Sequence, residues 1–298
     1  MNFADRLDAA VQAKQSPLVV GLDPFLDRLP APYAVVRDPD ASRADRAQAV
    51  GDFLCAVIEV VADRVPAVKP QSAFFEVLGA DGIQAWERVV AAARSAGLLV
   101  IGDAKRGDIG STATAYAEAF LTGGPGLPSD SLCDCLTVNP YLGSDSIEPF
   151  VTACHQADAG LFVLLRTSNP GSAEFQNHGD PPLTHVVSDA VSRWGSGLIG
   201  ASGLSSIGAV VGATHPSELI EMRARMPHTP FLLPGFGAQG ADAKDVAHGF
   251  TKGLSGAVVN SSRAILFAGH GDDWRDATSR AVDETNDALR GALGVTQL

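Results

Sequence analysis

The feature that most restricts the fold of this chain is a regular alternation of short apolar segments with longer amphipathic ones. The short segments are typical of buried parallel strands, whose two faces are both covered by helices. We predict eight strands, at Leu18–Asp23, Ala67–Pro70, Leu98–Lys105, Cys135–Asn139, Leu161–Ser168, Ala209–Thr214, Phe231–Pro234 and Gly256–Ser261. Helical patterns follow these strands, at Asp45–Arg64, Asp81–Ala96, Thr112–Leu121, Ser144–Gln156, Leu183–Arg193, Pro216–Met226, Ala241–Gly249 and Asp272–Leu293.

Eight strands alternating with eight helices indicate the α/β class and a (β/α)8 TIM barrel. With 298 residues, 46% of them hydrophobic, the chain is long enough to form this barrel as a single domain, residues 1–298. A doubly wound sheet is the alternative, and it would need a different edge order for the last strands. Three long loops are predicted, at Pro24–Arg43, Gly123–Asp134 and Asn169–Pro182, and the first and third follow strand ends.

The third predicted strand ends in charged residues, within LLVIGDAKRGDIGST. Because side chains alternate along a strand, Asp103 and Lys105 should share one face. The carboxyl end of a parallel strand is where active sites of such folds are built, so the pair is a candidate catalytic group. A structural interpretation is also open, in which Asp103 and Lys105 form an ion pair and Asp108 caps a helix that begins near Ser111.

Polar groups end most of the other predicted strands as well. They are Asp23, Lys69, Arg166 with Ser168, Gln239 and Arg263. Closing the barrel would bring these groups together at one rim. Gln239 lies in the glycine-rich segment PGFGAQG after the seventh strand, and Arg263 follows the eighth. Backbone N–H groups and a guanidinium at these two positions favour a phosphorylated small molecule as ligand, although a mobile turn and a surface salt bridge would also fit.

Charge and composition exclude several classes of partner. The formal net charge of −12 disfavours nucleic acid and acidic membrane surfaces. No apolar segment reaches membrane-spanning length, and the first residues form an amphipathic helical pattern without an apolar signal core, so we expect a cytoplasmic protein. Cys55, Cys133, Cys135 and Cys154 form no metal-ligand pattern, and neither do the seven histidines, so the cysteines are interpreted as structural thiols.

Several of these segments together resemble the orotidine 5′-phosphate decarboxylase family, in particular its branch of enlarged bacterial enzymes. They are GLDP, VKP, DAKRGDIGST, SNPG, PGFGAQG and SSRAI, which occur in the family's order between about Leu18 and Ile265. The DxKxxD element alone is less specific, because it also occurs in a wider group of phosphate-binding barrels.

The resemblance implies a cofactor-independent decarboxylation of orotidine 5′-monophosphate to uridine 5′-monophosphate, the last step of de novo pyrimidine nucleotide synthesis, without a metal. It also implies a homodimer with shared active sites. The implied catalytic residues are Lys105, Asp103, Lys69 and Asp108, with Asp108 reaching the other subunit's site. The implied substrate-binding residues are Asp23 with Lys69 for the ribose, Ile109 and Thr112 at the dimer interface, Ser168 (or Thr167) for the pyrimidine, and Gln239 with Arg263 for the phosphate.

The chemistry agrees with these implied roles. Loss of CO2 leaves a poorly stabilised carbanion at C6, which needs a positioned cation and an acid, and Lys105 can be both. Two alternatives remain open at this point. One is a metal-dependent sugar-phosphate decarboxylase or aldolase on the same barrel, and the other is a non-catalytic protein that binds a phosphate ligand.

Overall fold

The computed structural model describes residues 1–213, 216–235 and 243–295. Eight parallel strands close into a barrel in the order β1-β2-β3-β4-β5-β6-β7-β8. Their bounds are β1 Leu18–Leu22, β2 Ala67–Pro70, β3 Leu99–Arg106, β4 Cys135–Val138, β5 Gly160–Arg166, β6 Ile207–Val211, β7 Phe231–Leu233 and β8 Ala257–Ser261. The predicted (β/α)8 barrel is confirmed, and the hydrogen bonds between β1 and β8 exclude the doubly wound alternative.

Helices surround the barrel, and one of them covers one of its two ends. In chain order they are α1 Phe3–Lys14, α2 Arg43–Val61, α3 Ala73–Glu76, α4 Gly79–Ser95, α5 Gly110–Ala117, α6 Ser144–Ala157, α7 Ser172–Gln176, α8 Leu183–Gly195, α9 Pro216–Arg225, α10 Ala243–Ala247, α11 Arg263–Leu266 and α12 Trp274–Leu293. A π-helical turn, Glu118–Thr122, continues α5. No helix of the described residues is both long and apolar enough to cross a membrane.

The amino-terminal helix α1 closes the barrel at the amino-terminal ends of the strands. Phe3 packs edge-on against Phe162 of β5, with 6.3 Å between ring centroids. This approach requires Gly160, because a Cβ there would lie 2.1 Å from the Phe3 ring. Arg6 forms an ion pair of 2.6 Å with Asp134, immediately before β4. The sequence predicted helix α1 but not its position across the end of the barrel. Because α1 covers the amino-terminal ends of the strands, the end formed by their carboxyl ends is the open one.

Apolar side chains fill most of the barrel interior. They include Val19, Ala67, Ile101, Cys135, Phe162, Val210, Leu232 and Val258, which belong to one buried cluster with Phe3, Leu7 and Val11 of α1. A second, larger cluster lies between the strands and the outer helices. The two predicted loops on the open side follow β1 and β5 as expected, and they contain short helical turns at Leu26–Arg28 and Ala31–Arg37 and helix α7, respectively.

Candidate active site

Polar side chains line one half of the open end of the barrel. They are Asp23 after β1, Lys69 on β2, Asp103 and Lys105 on β3, and Thr137 on β4. On the other half, β5, β6 and β7 contribute Leu164, Val210 and Leu232 to the interior cluster. Asp23, Lys69, Asp103 and Lys105 therefore form a charged cluster on neighbouring strands at this end of the barrel.

The Asp103 carboxylate lies at the centre of the charged side. Its Oδ2 accepts a hydrogen bond from Lys69 Nζ. Its Oδ1 accepts from Lys105 Nζ at 2.6 Å and from Thr137 Oγ1 at 2.9 Å. Asp103 is 6% exposed and Lys69 is 5% exposed, whereas the Lys105 side chain is 45% exposed. Lys69 is thus buried beside Asp103, while the ammonium of Lys105 is more open to a ligand.

The environment keeps the buried pair charged. Burial alone would raise the pKa of Asp103, but the ammonium groups of Lys69 and Lys105 outweigh it and hold that pKa well below the ordinary value. Burial would likewise lower the pKa of Lys69, but the negative charges of Asp103 and Asp23 raise it. Asp103 and Lys69 therefore both stay charged although they are buried from water. Fixed charges of this kind are what a preorganised electrostatic site requires.

The backbone at Lys105 departs from a regular strand. Its φ of +48° lies in the left-handed region that a residue with a side chain rarely adopts. The pairing of β3 with β4 shifts register between Gly102 and Arg106, which is a bulge. The N–H of Lys105 donates to Thr137 Oγ1 at 3.0 Å and so holds this conformation. Thr137 thereby fixes both members of the Asp103–Lys105 pair, a role that sequence reasoning missed.

Asp23 and Arg263 lie on either side of the β8–β1 seam. Asp23 Oδ1 is buried and has no hydrogen-bond partner among the described residues. Arg263 is exposed at the first position of α11 and makes no ion pair within the described ranges. Both groups can therefore bind a ligand without first breaking an internal contact. Gln239, the other predicted phosphate-binding residue, lies outside the described residues.

The structure does not bring Asp108 to the Lys69–Asp103–Lys105 network. Its carboxylate accepts from the N–H of Ile109 at 2.8 Å, and it forms no ion pair among the described residues. The alternative interpretation, in which Asp108 caps the next helix, is wrong, because Ile109 is the N-cap residue of α5 and no side chain caps it. Ile109 is 55% exposed and Thr112 is exposed as well. All three residues thus lie on an outward-facing loop and helix start.

Arg166 is held by the loop and helix beyond β5. Its guanidinium pairs with Glu218 of α9 at 2.6 Å and donates to Ser172 Oγ at 2.6 Å and Gln176 Oε1 at 3.2 Å. It is 4% exposed. Arg166 therefore connects α7 and α9, instead of joining the ligand-facing groups with which the sequence pattern grouped it.

The neighbouring Thr167 is also engaged within this loop. Its hydroxyl donates to Asn169 Oδ1 at 2.6 Å and accepts from Gln176 Nε2 at 2.8 Å. Ser168 is half-buried beside the end of β6, where its Cβ lies 3.3 Å from the position that a Cβ on Gly212 would take. Both residues thus follow β5 at the open end of the barrel, and the Thr167 hydroxyl is held within its own loop.

The remaining chemistry-bearing residues form no second centre in the described part of the chain. All four cysteines are free thiols, and burial raises the pKa of Cys133, Cys135 and Cys154. Within residues 1–213, 216–235 and 243–295, no cluster of three or more His, Cys, Asp or Glu side chains could hold a metal ion.

Comparisons with known proteins agree with this geometry. The model of the orotidine 5′-phosphate decarboxylase / HUMPS family matches residues 16–275. An orotidine 5′-phosphate decarboxylase of Rhodopirellula baltica is 45% identical over 98% of this chain and 100% of the relative. One of Deinococcus radiodurans is 41% identical over 99% of both chains.

A solved structure is similar over the same extent. It is the crystal structure of a putative orotidine 5′-phosphate decarboxylase from Streptomyces avermitilis, with 37% identity and a TM-score of 0.80. The match covers 99% of this chain and 96% of that one. The similarity therefore includes the barrel, the strand ends and the loops that carry the polar groups described above.

Proposed function

The chain belongs to the orotidine 5′-phosphate decarboxylase family, and from this premise we propose that it decarboxylates orotidine 5′-phosphate with Lys105 as the catalytic acid. The observation that carries the mechanism is the Asp103 carboxylate, held between the ammonium groups of Lys69 and Lys105 at the open end of the barrel. The product of the reaction is uridine 5′-monophosphate.

Lys105 acts on the carbon that loses the carboxylate. When the bond between C6 and the carboxyl carbon breaks, CO2 leaves and the electron pair stays on C6. The half-exposed ammonium of Lys105 stabilises this negative charge and then transfers a proton to C6, and solvent reprotonates the amine. Because Asp103 and Thr137 fix the ammonium in advance, little reorganisation is needed during the reaction.

Asp103 sets the charge balance of the reacting end. In the bound complex its carboxylate lies near that of the substrate, and this like-charge contact is relieved as CO2 leaves. Lys69 prevents Asp103 from taking up a proton instead, since its ammonium holds the pKa of Asp103 low. Lys69 is therefore a positioning residue for Asp103 as well as a ribose-binding group.

The rest of the nucleotide extends around the rim from β3 to β8. We assign Asp23 and Lys69 to the ribose hydroxyls, because Asp23 has a buried, unpartnered oxygen next to the Lys69 charge. Ser168 is assigned to the pyrimidine, because it follows β5 at the same end of the barrel as Lys105. Arg263 and Gln239 are assigned to the phosphate, at the usual phosphate position of this barrel.

We propose a homodimer in which each active site is completed by the partner chain. The loops after β3 and β4 are joined, since Asn139 N–H donates to the carbonyl of Arg106 at 2.8 Å. Apolar side chains on these loops are exposed, with Ile109 at 55%, Tyr141 at 79% and Leu142 at 50%. If a second copy of the chain covered this surface, Asp108, Ile109 and Thr112 of one chain would lie at the open barrel end of the other. We also propose a cytoplasmic location, which the free thiols support.

An ultraviolet assay with orotidine 5′-phosphate in the presence of a chelator tests the proposed reaction. The proposed function predicts undiminished turnover with the chelator, because no step uses a metal. Turnover of a sugar phosphate that stops on chelation would instead support the metal-dependent alternative. Binding of uridine 5′-monophosphate without any turnover would support the binding-protein alternative.

A further inference from the structure

The seam where β8 meets β1 concentrates unsatisfied polar groups. Among the described residues, five buried side-chain atoms have no hydrogen-bond partner. Four of them belong to this seam, on Asp23, Asn260, Ser261 and Ser262. A buried polar group without a partner costs free energy, so those of the four that face the open barrel end call for a ligand.

Of these residues, Asn260 is the one whose side chain faces the barrel interior and is more than nine-tenths buried. It is 8% exposed and pairs in register with Val19, which belongs to the interior cluster. Ser261 pairs with Val20, which belongs to the outer cluster, so its hydroxyl faces the surrounding helices. Because side chains alternate along β8, Asn260 faces the barrel interior and the neighbouring Ser261 faces the outer helices.

The Asn260 carboxamide lies over Gly21 of β1. A Cβ at Gly21 would lie 3.1 Å from Asn260 Oδ1, 3.2 Å from Nδ2 and 2.8 Å from the Cβ of Ser262. A larger residue at position 21 would therefore displace the carboxamide or the chain beside it. Gly21 in turn pairs in register with Lys69. Gly21 thus has Lys69 of β2 on one side and the Asn260 carboxamide of β8 on the other. Asn260 is therefore separated from the charged network by the width of one strand.

The charges around the seam disfavour an anionic ligand group beside Asn260 and favour a neutral polar one. Asp23 follows β1 two residues after Gly21, and its carboxylate would repel an anionic group at this position. A carboxamide both donates and accepts hydrogen bonds, and a hydroxyl does the same, so the two match in either orientation of the amide. The seam lies between the reacting end at β2 and β3 and the phosphate-binding Arg263 after β8. The part of the substrate that spans this distance is the sugar.

We propose that Asn260 is a further substrate-binding residue, whose carboxamide hydrogen-bonds a ribose hydroxyl of the nucleotide. The inference rests on the proposed function, because it uses the direction in which the nucleotide lies across the rim. It adds β8 to the strands that recognise the sugar and gives the unpartnered Oδ1 its partner in the bound complex. Discrimination between a ribonucleotide and a deoxynucleotide is the property that follows from it.

The test compares Asn260→Leu with Ser261→Ala in the full-length protein. Leucine has nearly the shape of asparagine but no polar atoms, and Ser261→Ala removes a buried, unpartnered hydroxyl from the opposite face of the same strand. Calorimetry would measure the Kd of uridine 5′-monophosphate and of its 2′-deoxy and 3′-deoxy analogues. Asn260→Ala serves as a second variant with a smaller side chain, should leucine disturb folding.

We expect Asn260→Leu to weaken binding of uridine 5′-monophosphate about tenfold or more, the usual effect of leaving a ligand hydroxyl unpaired. Ser261→Ala should bind like the wild type. With one of the two deoxy analogues, the wild type and Asn260→Leu should bind equally. A loss of the same size with all three ligands would overturn the inference, and so would unchanged binding of the ribonucleotide.

The outcomes separate this inference from the proposed function. If the wild type decarboxylates orotidine 5′-phosphate and Asn260→Leu binds all ligands normally, only the role of Asn260 is overturned. If the wild type does not decarboxylate orotidine 5′-phosphate at all, the proposed function and the inference are both overturned.

Discussion

Lys105 donates a hydrogen bond of 2.6 Å to Asp103, two positions before it, from a backbone with φ of +48°. A left-handed residue with a side chain costs about 1–2 kcal/mol, and the bulge between β3 and β4 helps to maintain it. The strain is located at the group that the proposed mechanism uses as acid. Such outliers are often found at functional sites, where the surrounding structure holds them in place.

Lys105→Ala should lose the chemical step but keep the binding site. Removal of a positioned acid and cation costs about 10²- to 10⁴-fold in kcat. Binding of uridine 5′-monophosphate should change much less, because the sugar and phosphate contacts remain. The matched control is Lys14→Ala, which removes a lysine whose partner, Asp63, is fully exposed and 3.8 Å away. A kcat near that of the wild type would refute the role of Lys105.

Asp103→Asn should destabilise the protein in a pH-dependent way. The pKa of Asp103 is lowered in the folded state, so its charge stabilises the fold above the ordinary carboxyl pKa of 3.8, and this contribution is lost as the pH falls below that value. Removing one partner of a buried pair costs about 3 kcal/mol or more at neutral pH.

Urea unfolding of the wild type and Asp103→Asn between pH 7 and pH 3 measures this effect. The difference in the free energy of unfolding should be constant between about pH 7 and pH 5 and should shrink below about pH 4. Asp63→Asn, at a fully exposed carboxyl, should show no comparable change. A difference that stays constant through pH 3 would mean that the charge of Asp103 does not stabilise the fold.

Much of this site follows from local sequence patterns, and the rest depends on contacts between distant segments. Strand ends and the shared face of Asp103 and Lys105 were predicted from apolar runs and alternation. Simple alternation did not predict the left-handed backbone at Lys105, because that conformation depends on the register of β3 against β4 and on the Thr137 hydroxyl. The partner of Arg166 was not predicted either, as Glu218 lies 52 residues further along the chain.

Other sequence predictions stay predictions. They are the single-domain interpretation of residues 1–298 and the roles of the site residues. Asp108 illustrates the reason, because its carboxylate contacts only its own loop here, and its proposed function requires a second copy of the chain.

Arg166→Met should loosen the loop that carries Ser168. The guanidinium bridges α7 to α9 through Ser172, Gln176 and Glu218, and methionine keeps the apolar stem but none of these hydrogen bonds. Hydrogen exchange should become faster in residues 169–182 and stay unchanged in the β strands. Glu174→Ala removes an exposed side chain of the same helix and is the control. Equal protection in Arg166→Met and the wild type would contradict the anchoring role.

Mixing two inactive variants tests the shared active site. Asp108→Asn and Lys105→Ala remove residues that, in the proposed dimer, meet only across the interface. A hybrid dimer has one site with both residues intact, so random mixing should restore up to about a quarter of wild-type activity. Two different inactive variants at Lys105, mixed in the same way, should restore none. Failure to recover activity after verified subunit exchange would count against sharing.

Arg263→Ala should lower kcat/KM much more for a substrate that carries a phosphate than for one that does not. Arg263 is exposed at the start of α11, on the far side of the rim from Lys105 on β3, so its charge cannot act directly on C6. Binding energy from a remote group can still orient the reacting end, and its loss then lowers kcat/KM. We therefore expect a large loss of kcat/KM with orotidine 5′-phosphate and a much smaller one with orotidine, which has no phosphate.

Arg193→Ala is the control for this comparison, because Arg193 is exposed in the last turn of α8, at the closed end of the barrel. Adding guanidinium ion to Arg263→Ala should restore part of the activity toward the phosphorylated substrate, since a free cation can occupy the place of the deleted one. It should not affect turnover of orotidine. If Arg263→Ala reduced kcat/KM by the same factor for both substrates, Arg263 would be supporting the fold or the pyrimidine site, and its assignment to the phosphate would be wrong.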